Sequence, residues 1–356
     1  MTALTILFVG DTTPYLTTAA RRDAFVSLGQ RVETVDQRHF VNSPSRWMTR
    51  ATFWSLLTPA VFAFNRALLD AAERVRPDLA WIEKGTFVFP RTLRALRRRG
   101  IPLVYHNTDD TRKPTAKERL HWRFLLRTLD EYDMYVTSNL HNVDEFRRAG
   151  FPNVHHMELC ANEAVQVPTP PDEALRARLG GPVGFIGHWE PATERQLLHL
   201  VQSGIPLVIY GPHWEQAKSR DELAVAVRGR GVYGDEYAQA IVSFDINIGI
   251  VSTVNRNHTA SRTFQIPALG AFLLHQRNEV VTSYFREGEE AAFFSSDDEL
   301  LEKCRYYIDH PDERRAIAAA GRRRCIESGY FETDRVRDIL PALEALVRQH
   351  RQGRRP

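Results

Sequence analysis

The feature that most constrains the fold of this chain is an alternation of short apolar runs with stretches of helical periodicity. In the first 160 residues, helical segments occur at Ala19–Leu28, Pro90–Arg99 and Val143–Ala149. The apolar runs that separate such segments are Leu4–Val9, Arg31–Val35, Leu79–Ile82, Leu103–His106, Met134–Thr137 and Val154–Met157. Short apolar strands alternating with helices predict right-handed βαβ units in a doubly wound parallel sheet.

The same alternation restarts after a segment that contains Pro168, Pro170, Pro171 and the pair Gly180-Gly181. Proline and glycine at this density are typical of a linker. Further strands are expected at Val183–Ile186, Leu207–Tyr210, Gly231–Tyr233, Ile246–Ile250 and Phe272–Leu274, and further helices at Asp298–Asp309, Pro311–Ser328 and Glu332–Arg348. We therefore predict two α/β domains, 1–165 and 183–330, a linker at 166–182, and a final helix with a basic tail at 331–356. A cleft is expected where the carboxyl ends of the strands bind ligands.

Composition indicates an ordinary globular protein of two domains, because 356 residues exceed what one core usually holds and 43% are hydrophobic. A net charge of +3 is too small to indicate nucleic-acid binding. Basic side chains cluster at Arg94–Arg99 and in the tail Arg351–Arg355. Both clusters are typical of solvated surface, and peripheral contact with an anionic membrane or substrate is the alternative.

Three features predict a cytoplasmic location. Cys160, Cys304 and Cys325 lack paired spacing, which disfavours a disulfide scaffold or a zinc cluster. The strand at Thr5 is not preceded by a charged segment with a cleavage site. The most apolar stretch, Phe53–Leu69, is short and interrupted by polar residues, so we expect a buried or interfacial helix there.

Polar residues at the strand ends of the first half are the candidates for acid–base chemistry. The stretch FVGDTTP lacks the glycine patterns of dinucleotide and P-loop sites, which disfavours nicotinamide and P-loop ATP chemistry. It carries Asp11, which can reach the cleft or cap the next helix. The stretch VYHNTDDT places His106 beside Asp109 and Asp110, as expected of a general base or of a capped turn. The adjacent carboxylates lack the spaced partners of a metal site, so no metal is expected.

The second half offers residues suited to a nucleotide. Gly187 in GFIGHWE follows a strand directly, where backbone without a Cβ can approach a phosphate. His188 follows it, and Arg195 in the next helix reaches the same place or lies on the surface. Tyr210 and Tyr233 end two further strands, where a ring can meet a base.

The stretch NHTASRTFQIPALGAFLLHQ, residues 257–276, suggests how a diphosphate is held. Pro267 fits the first turn of a helix, whose free N–H groups bind anions. Arg262 lies just upstream and can donate to two phosphate oxygens. These groups would supply enough positive charge without a metal ion. The alternative is a surface arginine on a helix that leads into a buried strand.

The residues from Arg262 onwards resemble the C-terminal module of bacterial glycosyltransferases of the spore maturation protein B (CgeB-like) group. The resemblance covers most of the chain and is most specific from Gly184 to Arg322. It is carried by Arg262, Phe264, Gln265, Ala268, Gly270, Gly288-Glu289, Asp298-Glu299-Leu300, Tyr306-Tyr307 and Ala320-Gly321-Arg322.

The resemblance implies a GT-B fold, in which two Rossmann-like domains face a cleft and the final helix crosses back to the N-terminal domain. The donor would bind to the C-terminal domain and the acceptor to the N-terminal one. Arg262 would hold the diphosphate, Gly187 would line its loop and Tyr233 would lie near the base. The full donor-binding set is Gly187, His188, Arg195, Tyr210, Tyr233, His258, Arg262, Phe264 and Gln265, and the catalytic candidates are Asp11, His106 and Asp109.

One departure from the family pattern leaves the stereochemistry open. Related retaining enzymes often carry two glutamates eight positions apart, and this chain has the amides Asn257 and Gln265 there. An amide forms hydrogen bonds but cannot act as a carboxylate.

The sequence thus predicts a metal-independent glycosyltransferase that moves a hexosyl or deoxyhexosyl group from a nucleoside-diphosphate-sugar to a glycan, protein or small molecule. No cofactor beyond this donor and no nucleic-acid partner is expected. A non-catalytic sugar-nucleotide-binding protein or partner subunit on the same scaffold is the alternative, and a sugar-nucleotide epimerase is a second one.

Overall fold

A computed structural model describes residues 3–42, 45–163, 171–252 and 256–353. Its residues divide into two compact units, one of Met1–Glu158 with Glu332–Pro356 and one of Leu159–Phe331. The proline-rich part of the predicted linker, 166–170, and the arginines at 354 and 355 in the basic tail lie outside the described residues.

The first unit contains a six-stranded parallel sheet of order β2-β1-β3-β4-β5-β6. Its strands are β1 Thr5–Gly10, β2 Arg31–Asp36, β3 Leu79–Glu83, β4 Leu103–Asn107, β5 Met134–Thr137 and β6 Val154–His156. The helices are α1 Thr17–Ser27, α2 Arg38–Val41, α3 Arg46–Ser55, α4 Pro59–Val75, α5 Pro90–Arg98, α6 Ala116–His121, α7 Arg123–Leu126 and α8 Leu140–Arg148. Each predicted strand of this half forms, with ends within two residues of the expected ones.

The central strands β3, β4 and β5 are buried at every residue, as expected when both faces of a parallel sheet are covered, whereas the edge strands β2 and β6 are partly exposed. Leu7 and Val9 of β1 pack into the cluster that includes the apolar faces of α4 and α8. Ile6 and Phe8 point to the opposite face, where Phe25 of α1 lies. Alternate residues of one strand therefore belong to two different cores.

The second unit contains a five-stranded parallel sheet of order β11-β10-β9-β7-β8. Its strands are β7 Gly181–Ile186, β8 Leu207–Tyr210, β9 Phe244–Gly249, β10 Leu273–Gln276 and β11 Ala292–Phe294. The helices are α9 Glu173–Leu179, α10 Pro191–Gln202, α11 Arg220–Leu223, α12 Gly234–Ser243, α13 Ser261–Ala268, α14 Glu279–Tyr284, α15 Asp297–Asp309 and α16 Pro311–Glu327, and α17 Glu332–Gln352 follows. The prediction of two doubly wound α/β domains is confirmed.

One strand prediction in this unit was wrong, and one strand was missed. Gly231–Tyr233 is not a strand, because the position beside β8 is taken by Val227, which forms a bridge with Ile209. Tyr233 instead caps the N-terminus of α12. The edge strand β11 was missed because its run of three residues is too short to show a period.

The final helix α17 packs on the first unit. Val336, Ile339 and Leu343 lie in the same apolar cluster as Phe25. At the start of the helix, the Nε atom of Arg21 lies 2.7 Å from Glu332 Oε1. An apolar face and a buried ion pair therefore attach the end of the chain to α1.

Candidate donor-binding site

The carboxyl edge of the second sheet carries a cavity of about 180 Å³ between the loops that follow β7 and β9 and the start of α13. Phe185 and His188 line it from the β7 side, and Ile250 and Arg262 from the β9 side. From β7 the chain first adds β8 on one side of the sheet and then returns to add β9 on the other side, so the strand order reverses between β7 and β9. Crevices at such switch points are where open α/β sheets bind ligands.

Helix α13 begins at Ser261, so the expectation that a helix starts at Pro267 was wrong. Ala260 is the N-cap with extended backbone, Arg262 is the second helical residue, and Pro267 lies in the last turn. A proline there removes a single hydrogen bond in a helix that ends one residue later. Arg262 therefore lies at the N-terminus of a helix, but at the other end of the proline-containing segment, where the N–H of Thr263 donates to the Ala260 carbonyl at 2.9 Å.

Arg262 is a cation without a close ion pair in the described chain, although Glu190 lies near enough for its charge to favour the guanidinium. Its Nη2 atom donates to the carbonyl oxygen of Ile250 at 3.3 Å, and its guanidinium lies 5.4 Å from the ring centroid of Phe185. Its Nε atom is buried and has no hydrogen-bond partner among the described residues. No carboxylate of the described chain forms an ion pair with it. Burial lowers the pKa of Arg262, although a guanidinium stays protonated at neutral pH.

The loop after β7 needs glycine for reasons of space. A Cβ atom on Gly187 would lie 2.6 Å from the Phe185 ring and 3.3 Å from Arg262 Nη2. The N–H of Gly187 donates to the Tyr210 carbonyl at 2.8 Å, and its own carbonyl accepts from Trp214 Nε1 at 3.0 Å. Gly187 therefore makes room for Arg262, while its N–H group is already bonded within the protein.

A buried carboxylate in the cavity was missed from the sequence. Glu190 caps the N-terminus of α10, and its Oε1 atom accepts from Ser252 Oγ at 2.6 Å. The same oxygen lies 2.8 Å from His188 Nε2. The signal was its position directly before Pro191, because proline favours the first position of a helix. His188 and Glu190 thus form a polar pair that lines the same cavity as Arg262, and the charge of Glu190 favours the guanidinium.

A second group missed from the sequence fixes the start of α13. The N–H of Ala260 donates to Thr263 Oγ1 at 3.0 Å, and this hydroxyl lies 2.9 Å from His275 Nε2. His275 Nδ1 lies 2.7 Å from the Gln276 carbonyl, so Nδ1 carries the hydrogen and Nε2 accepts from Thr263. Burial lowers the pKa of His275 to about 4, which keeps the imidazole neutral. This chain of bonds joins the N-terminus of α13 to β10.

Three of the predicted donor-binding residues lie away from the cavity. Arg195 is 70% exposed, and its Nε atom lies 3.1 Å from Asp297 on α15. Tyr210 is buried and donates to the Leu179 carbonyl at 3.3 Å. Phe264 is buried among Tyr284, Phe285 and Tyr330. The first is a surface ion pair, and the other two are core residues.

The remaining predicted residues lie near the cavity or on adjoining helices. Asn257 lines the cavity, whereas Gln265 Oε1 accepts from Tyr237 Oη at 2.6 Å. The His258 carbonyl accepts from Asn278 Nδ2 at 2.8 Å. Tyr233 is 55% exposed at the start of α12. The two amides at the family's glutamate positions therefore have different surroundings.

In the first unit, the three catalytic candidates differ in exposure. His106 is 1% exposed, and its Nδ1 atom lies 2.8 Å from Glu83 Oε2. Arg21 Nη1 lies 2.8 Å from the other oxygen of Glu83. Burial lowers the pKa of His106. Burial alone would raise the pKa of Glu83, but the charge of Arg21 and the interactions with His106 hold the pKa of Glu83 well below its usual range. A base must contact the acceptor, and this buried histidine does not reach the surface.

The two aspartates are accessible. Asp11 does not cap α1, whose N-cap is Leu16, and instead accepts from Thr13 N at 3.0 Å and Thr13 Oγ1 at 2.7 Å. Asp109 lies 2.6 Å from Lys84 Nζ and remains partly exposed. Both follow strands of the first sheet at their carboxyl ends.

Comparison with known proteins agrees with this geometry. Residues 191–341 match the family described as glycosyl transferase-like. The matched segment runs from α10 into α17 and includes the whole of α13. The CgeB-like subgroup suggested by the sequence is not confirmed.

The chain is also 26% identical over 215 residues to a GDP-mannose-dependent alpha-mannosyltransferase of Mycobacterium tuberculosis. This alignment covers 57% of the chain and 56% of that relative, so the chain spans about half the length of the curated relative it matches.

Two solved structures are similar in fold over nearly their full length. Sucrose-phosphate synthase from Thermosynechococcus elongatus superposes with a TM-score of 0.68 at 11% identity, covering 96% of this chain and 99% of that one. HepE from Anabaena, in complex with UDP-glucose, gives 0.63 at 14% identity, covering 96% and 100%. The fold is that of GT-B glycosyltransferases. None of the described helices is both long enough and apolar enough to cross a membrane.

Proposed function

We propose that the protein is a GT-B glycosyltransferase that transfers a sugar from a nucleoside-diphosphate-sugar to an acceptor. The observation that carries this proposal is Arg262, which forms no close ion pair with a carboxylate of the described chain and whose buried Nε atom has no hydrogen bond there. A protein seldom leaves a buried polar group unsatisfied unless a ligand completes it.

A diphosphate fits the chemistry of this cavity. The guanidinium supplies a planar set of donors that matches phosphate oxygens, and the first N–H groups of α13 point in the direction that favours an anion. As the bond to the sugar breaks, negative charge grows on the diphosphate, and donors already held in place stabilise it. Thr263 and His275 hold α13 in position, so this stabilisation requires little reorganisation.

The similarity to known proteins supports a nucleotide-sugar as the donor class. The matched family segment contains Arg262, the mannosyltransferase relative is named for GDP-mannose, and HepE was crystallised with UDP-glucose. We therefore propose a hexosyl or deoxyhexosyl donor, with the exposed ring of Tyr233 as the group that meets the base.

The acceptor's proton has two possible routes. If the reaction inverts, Asp11 or Asp109 is the base, because both are accessible carboxylates at strand ends. If it retains, the departing diphosphate can take the proton, and the amide at Gln265, where related retaining enzymes often carry a glutamate, leaves the choice between the two routes open. The acceptor itself is a glycan, a protein or a small molecule.

The direct test is a thermal-shift screen against nucleoside diphosphates and their sugars in the presence of EDTA. A ligand that binds only the folded state raises the midpoint of unfolding. We expect one diphosphate to stabilise the protein without a divalent cation and Arg262→Ala to abolish the shift. The matched control is Arg323→Ala, an exposed arginine of the same unit. No shift with any diphosphate would overturn the proposal.

A non-catalytic sugar-nucleotide-binding protein is the second candidate, and the pair of amides favours it. Such a protein would show the same thermal shift. Release of the free diphosphate from a radiolabelled donor, with and without a panel of acceptors, separates the two. Turnover supports the transferase, and tight binding without any release of diphosphate supports the binding protein.

A further inference from the structure

The second unit has another cavity at the amino edge of its sheet, opposite the edge that carries the donor-binding cavity. It has a volume of about 350 Å³ and lies where β9 begins, beside α9, α16 and the turn between α13 and β10. Helix α13 reaches both places, because Arg262 at its start lines the donor-binding cavity and Leu269 directly after it lines this one. Small-molecule sites have volumes from about 300 Å³ upwards. We refer to this space as the arginine cavity.

Cations outnumber anions in the wall of the arginine cavity. Arg176 of α9 and Arg314 and Arg315 of α16 contribute three guanidinium groups. Asp245 at the start of β9 is the only acidic side chain among the described residues that line the cavity. Three positive charges and one negative charge leave these residues with a net charge of +2. The rest of the wall is largely apolar and includes Val242, Phe244, Leu269, Phe272 and Ala318.

Two of the three guanidinium groups share a single carboxylate oxygen. Arg176 Nη2 lies 2.5 Å from Asp245 Oδ1, and Arg314 Nη2 lies 3.0 Å from the same atom. The side chain of Arg314 is only 9% exposed, and its Nη1 atom donates to the Tyr307 carbonyl. Burial lowers the pKa of Arg314, while attraction to Asp245 raises it and the like charges of the other two arginines lower it further. One carboxylate therefore does not balance the positive charge at this place.

Arg315 is the guanidinium group that is most free to turn towards a ligand. Its side chain is 68% exposed, and it forms an ion pair with Asp312, which lies one turn earlier on α16 and is 95% exposed. Exposed ion pairs of this kind contribute little to stability. Arg315 can therefore exchange Asp312 for a stronger acceptor at small cost.

Helix α9 is held in position beside β9 by close backbone packing. The helix ends at Gly180, where a Cβ atom would lie 2.2 Å from the Ser243 carbonyl oxygen. In the same turn, the Tyr210 hydroxyl donates to the Leu179 carbonyl at 3.3 Å. These contacts fix the backbone of Arg176 at the start of β9 before any ligand binds. A site arranged in advance loses less free energy to ordering when its ligand binds.

The charge and the walls of the arginine cavity suit an organic phosphate. A phosphate monoester carries a charge of about −1.5 to −2 at neutral pH, which balances the +2 of the lining residues. Its oxygens accept charge-assisted hydrogen bonds from several guanidinium groups at once. A carboxylate such as that of Asp245 brings a single charge and two oxygens. The apolar part of the wall provides a surface for the organic group.

We propose that the arginine cavity binds a small organic phosphate, whose phosphate group contacts Arg176, Arg314 and Arg315 and whose organic part lies against the apolar wall. When it binds, the phosphate replaces Asp245 as the acceptor shared by Arg176 and Arg314. The proposal does not depend on the transfer reaction, because none of these residues lines the donor-binding cavity.

The test is titration calorimetry of the full chain with phenyl phosphate at about pH 8, in a buffer free of phosphate and sulfate. At this pH the probe carries about two negative charges. Benzoate has the same ring and a single charge, so it serves as the comparison ligand. We expect one site per chain, with phenyl phosphate bound at least about tenfold more tightly than benzoate.

The measurement is repeated with Arg262→Ala, because the donor-binding cavity can also attract a phosphate. We expect the affinity for phenyl phosphate to stay within about twofold of that of the wild type, since the two cavities share no residue. Loss of binding in Arg262→Ala would place the probe in the donor-binding cavity and overturn the proposal. The response of the wild type to nucleoside diphosphates tests the proposed function separately, so the two proposals can fail independently.

Two variants should change the affinity of the arginine cavity in opposite directions. Arg176→Ala combined with Arg315→Ala removes two guanidinium groups, and we expect the affinity for phenyl phosphate to fall by at least about tenfold. Asp245→Asn removes the carboxylate that competes with the ligand, and we expect the affinity to rise by at least about threefold. The matched control is Arg178→Ala with Arg323→Ala, which removes one exposed arginine each from α9 and α16 outside the cavity. We expect this control to bind as the wild type does.

The result with Asp245→Asn distinguishes a binding site from a purely structural set of ion pairs. If Asp245 only fastened α9 and α16 to β9, this variant would lose stability without gaining affinity, and that result would overturn the proposal. An equal loss of affinity in the double variant and in its control would show that total charge is responsible, and would overturn it as well. So would the absence of any binding of phenyl phosphate to the wild type. Thermal unfolding without ligand confirms that each variant is folded.

Discussion

Replacing Arg262 by methionine separates ligand binding from stability, because the two are expected to change in opposite directions. In the ligand-free protein the guanidinium is partly desolvated and its buried Nε atom is unbonded, which costs about 1–3 kcal/mol. Its stabilising contacts are one long hydrogen bond to Ile250 and the position over the Phe185 ring, the latter contributing about 0.5–1 kcal/mol. Methionine keeps much of the volume and a favourable contact with the ring.

We therefore expect Arg262→Met to raise the free energy of unfolding of the ligand-free protein by about 1 kcal/mol, because the desolvation of the guanidinium outweighs its attraction to Glu190. For a domain of this size the midpoint of thermal unfolding would rise by about 2–4 °C. Arg323→Met is the control, since an exposed arginine has no such desolvation to relieve.

The same substitution should remove most of the response to donor. At a diphosphate concentration of about 100 times Kd, the wild type gains about 2.7 kcal/mol. Loss of two charge-assisted hydrogen bonds to phosphate costs about 3 kcal/mol, which is roughly a hundredfold in affinity. The variant would then gain only about 0.4 kcal/mol at the same concentration. Differential scanning fluorimetry with and without diphosphate measures both quantities in one experiment.

The reasoning fails if the ligand-free midpoint of Arg262→Met falls by several degrees while the diphosphate shift is kept. Arg262 would then be a structural residue and the donor would bind elsewhere. Arg262→Lys tests whether charge alone is enough for binding, because lysine keeps the positive charge but lacks the planar set of donors. We expect it to retain part of the shift.

Three further predictions address the remaining groups. Arg195→Ala should change donor affinity by no more than about twofold and the free energy of unfolding by no more than about 0.5 kcal/mol relative to the wild type, since Arg195 is exposed and paired with Asp297. A tenfold loss of donor affinity in titration calorimetry would mean that Arg195 contacts the donor. Asp109→Asn should lower kcat by about a hundredfold or more with an unchanged diphosphate shift if this carboxylate is the base of an inverting reaction, and product formation at the wild-type rate would exclude it. His275 has a pKa of about 4 in the folded protein, against about 6.5 in the unfolded chain, so the unfolded chain binds the proton first as the pH is lowered. The free energy of unfolding should therefore fall by up to about 3 kcal/mol as the pH drops from about 6.5 to about 4. Urea unfolding across this range should show a smaller loss in His275→Gln, and an identical loss would contradict the prediction.

The strand pattern could be predicted from sequence because both faces of each sheet are buried. Runs such as Met134–Thr137 and Leu207–Tyr210 are buried at every residue and mostly apolar, so their ends lie near the first polar or turn residue. The stretch Gly231–Tyr233 did not follow this rule, because a short apolar run before a glycine resembles a strand end whether or not a neighbouring strand is free to pair. The three residues of β11 are defined by their partner β10 and not by their own pattern.

The site was predicted in part for a similar reason. Arg262 stood out because a cation before an apolar strand needs an explanation, and Gly187 because it follows a strand directly. The start of α13 could not be read, since its cap is an alanine bonded to the Thr263 hydroxyl, and no sequence preference marks that pair. Glu190 and His275 were missed because their roles depend on partners distant in sequence, Ser252 and Thr263.

The backbones of Gly187 and Gly211 lie so close that no Cβ atom fits between them at position 211. A Cβ atom on Gly211 would lie 1.9 Å from the Gly187 carbonyl oxygen, and the φ of +147° at Gly211 already disfavours any other residue. Even the smallest side chain at 211, a position outside the cavity, would therefore push the backbone beneath the Arg262 guanidinium. The loop after β7 is fixed by this direct backbone contact. Homologues that keep both glycines but prefer different donors would therefore have to differ on the other walls of the cavity.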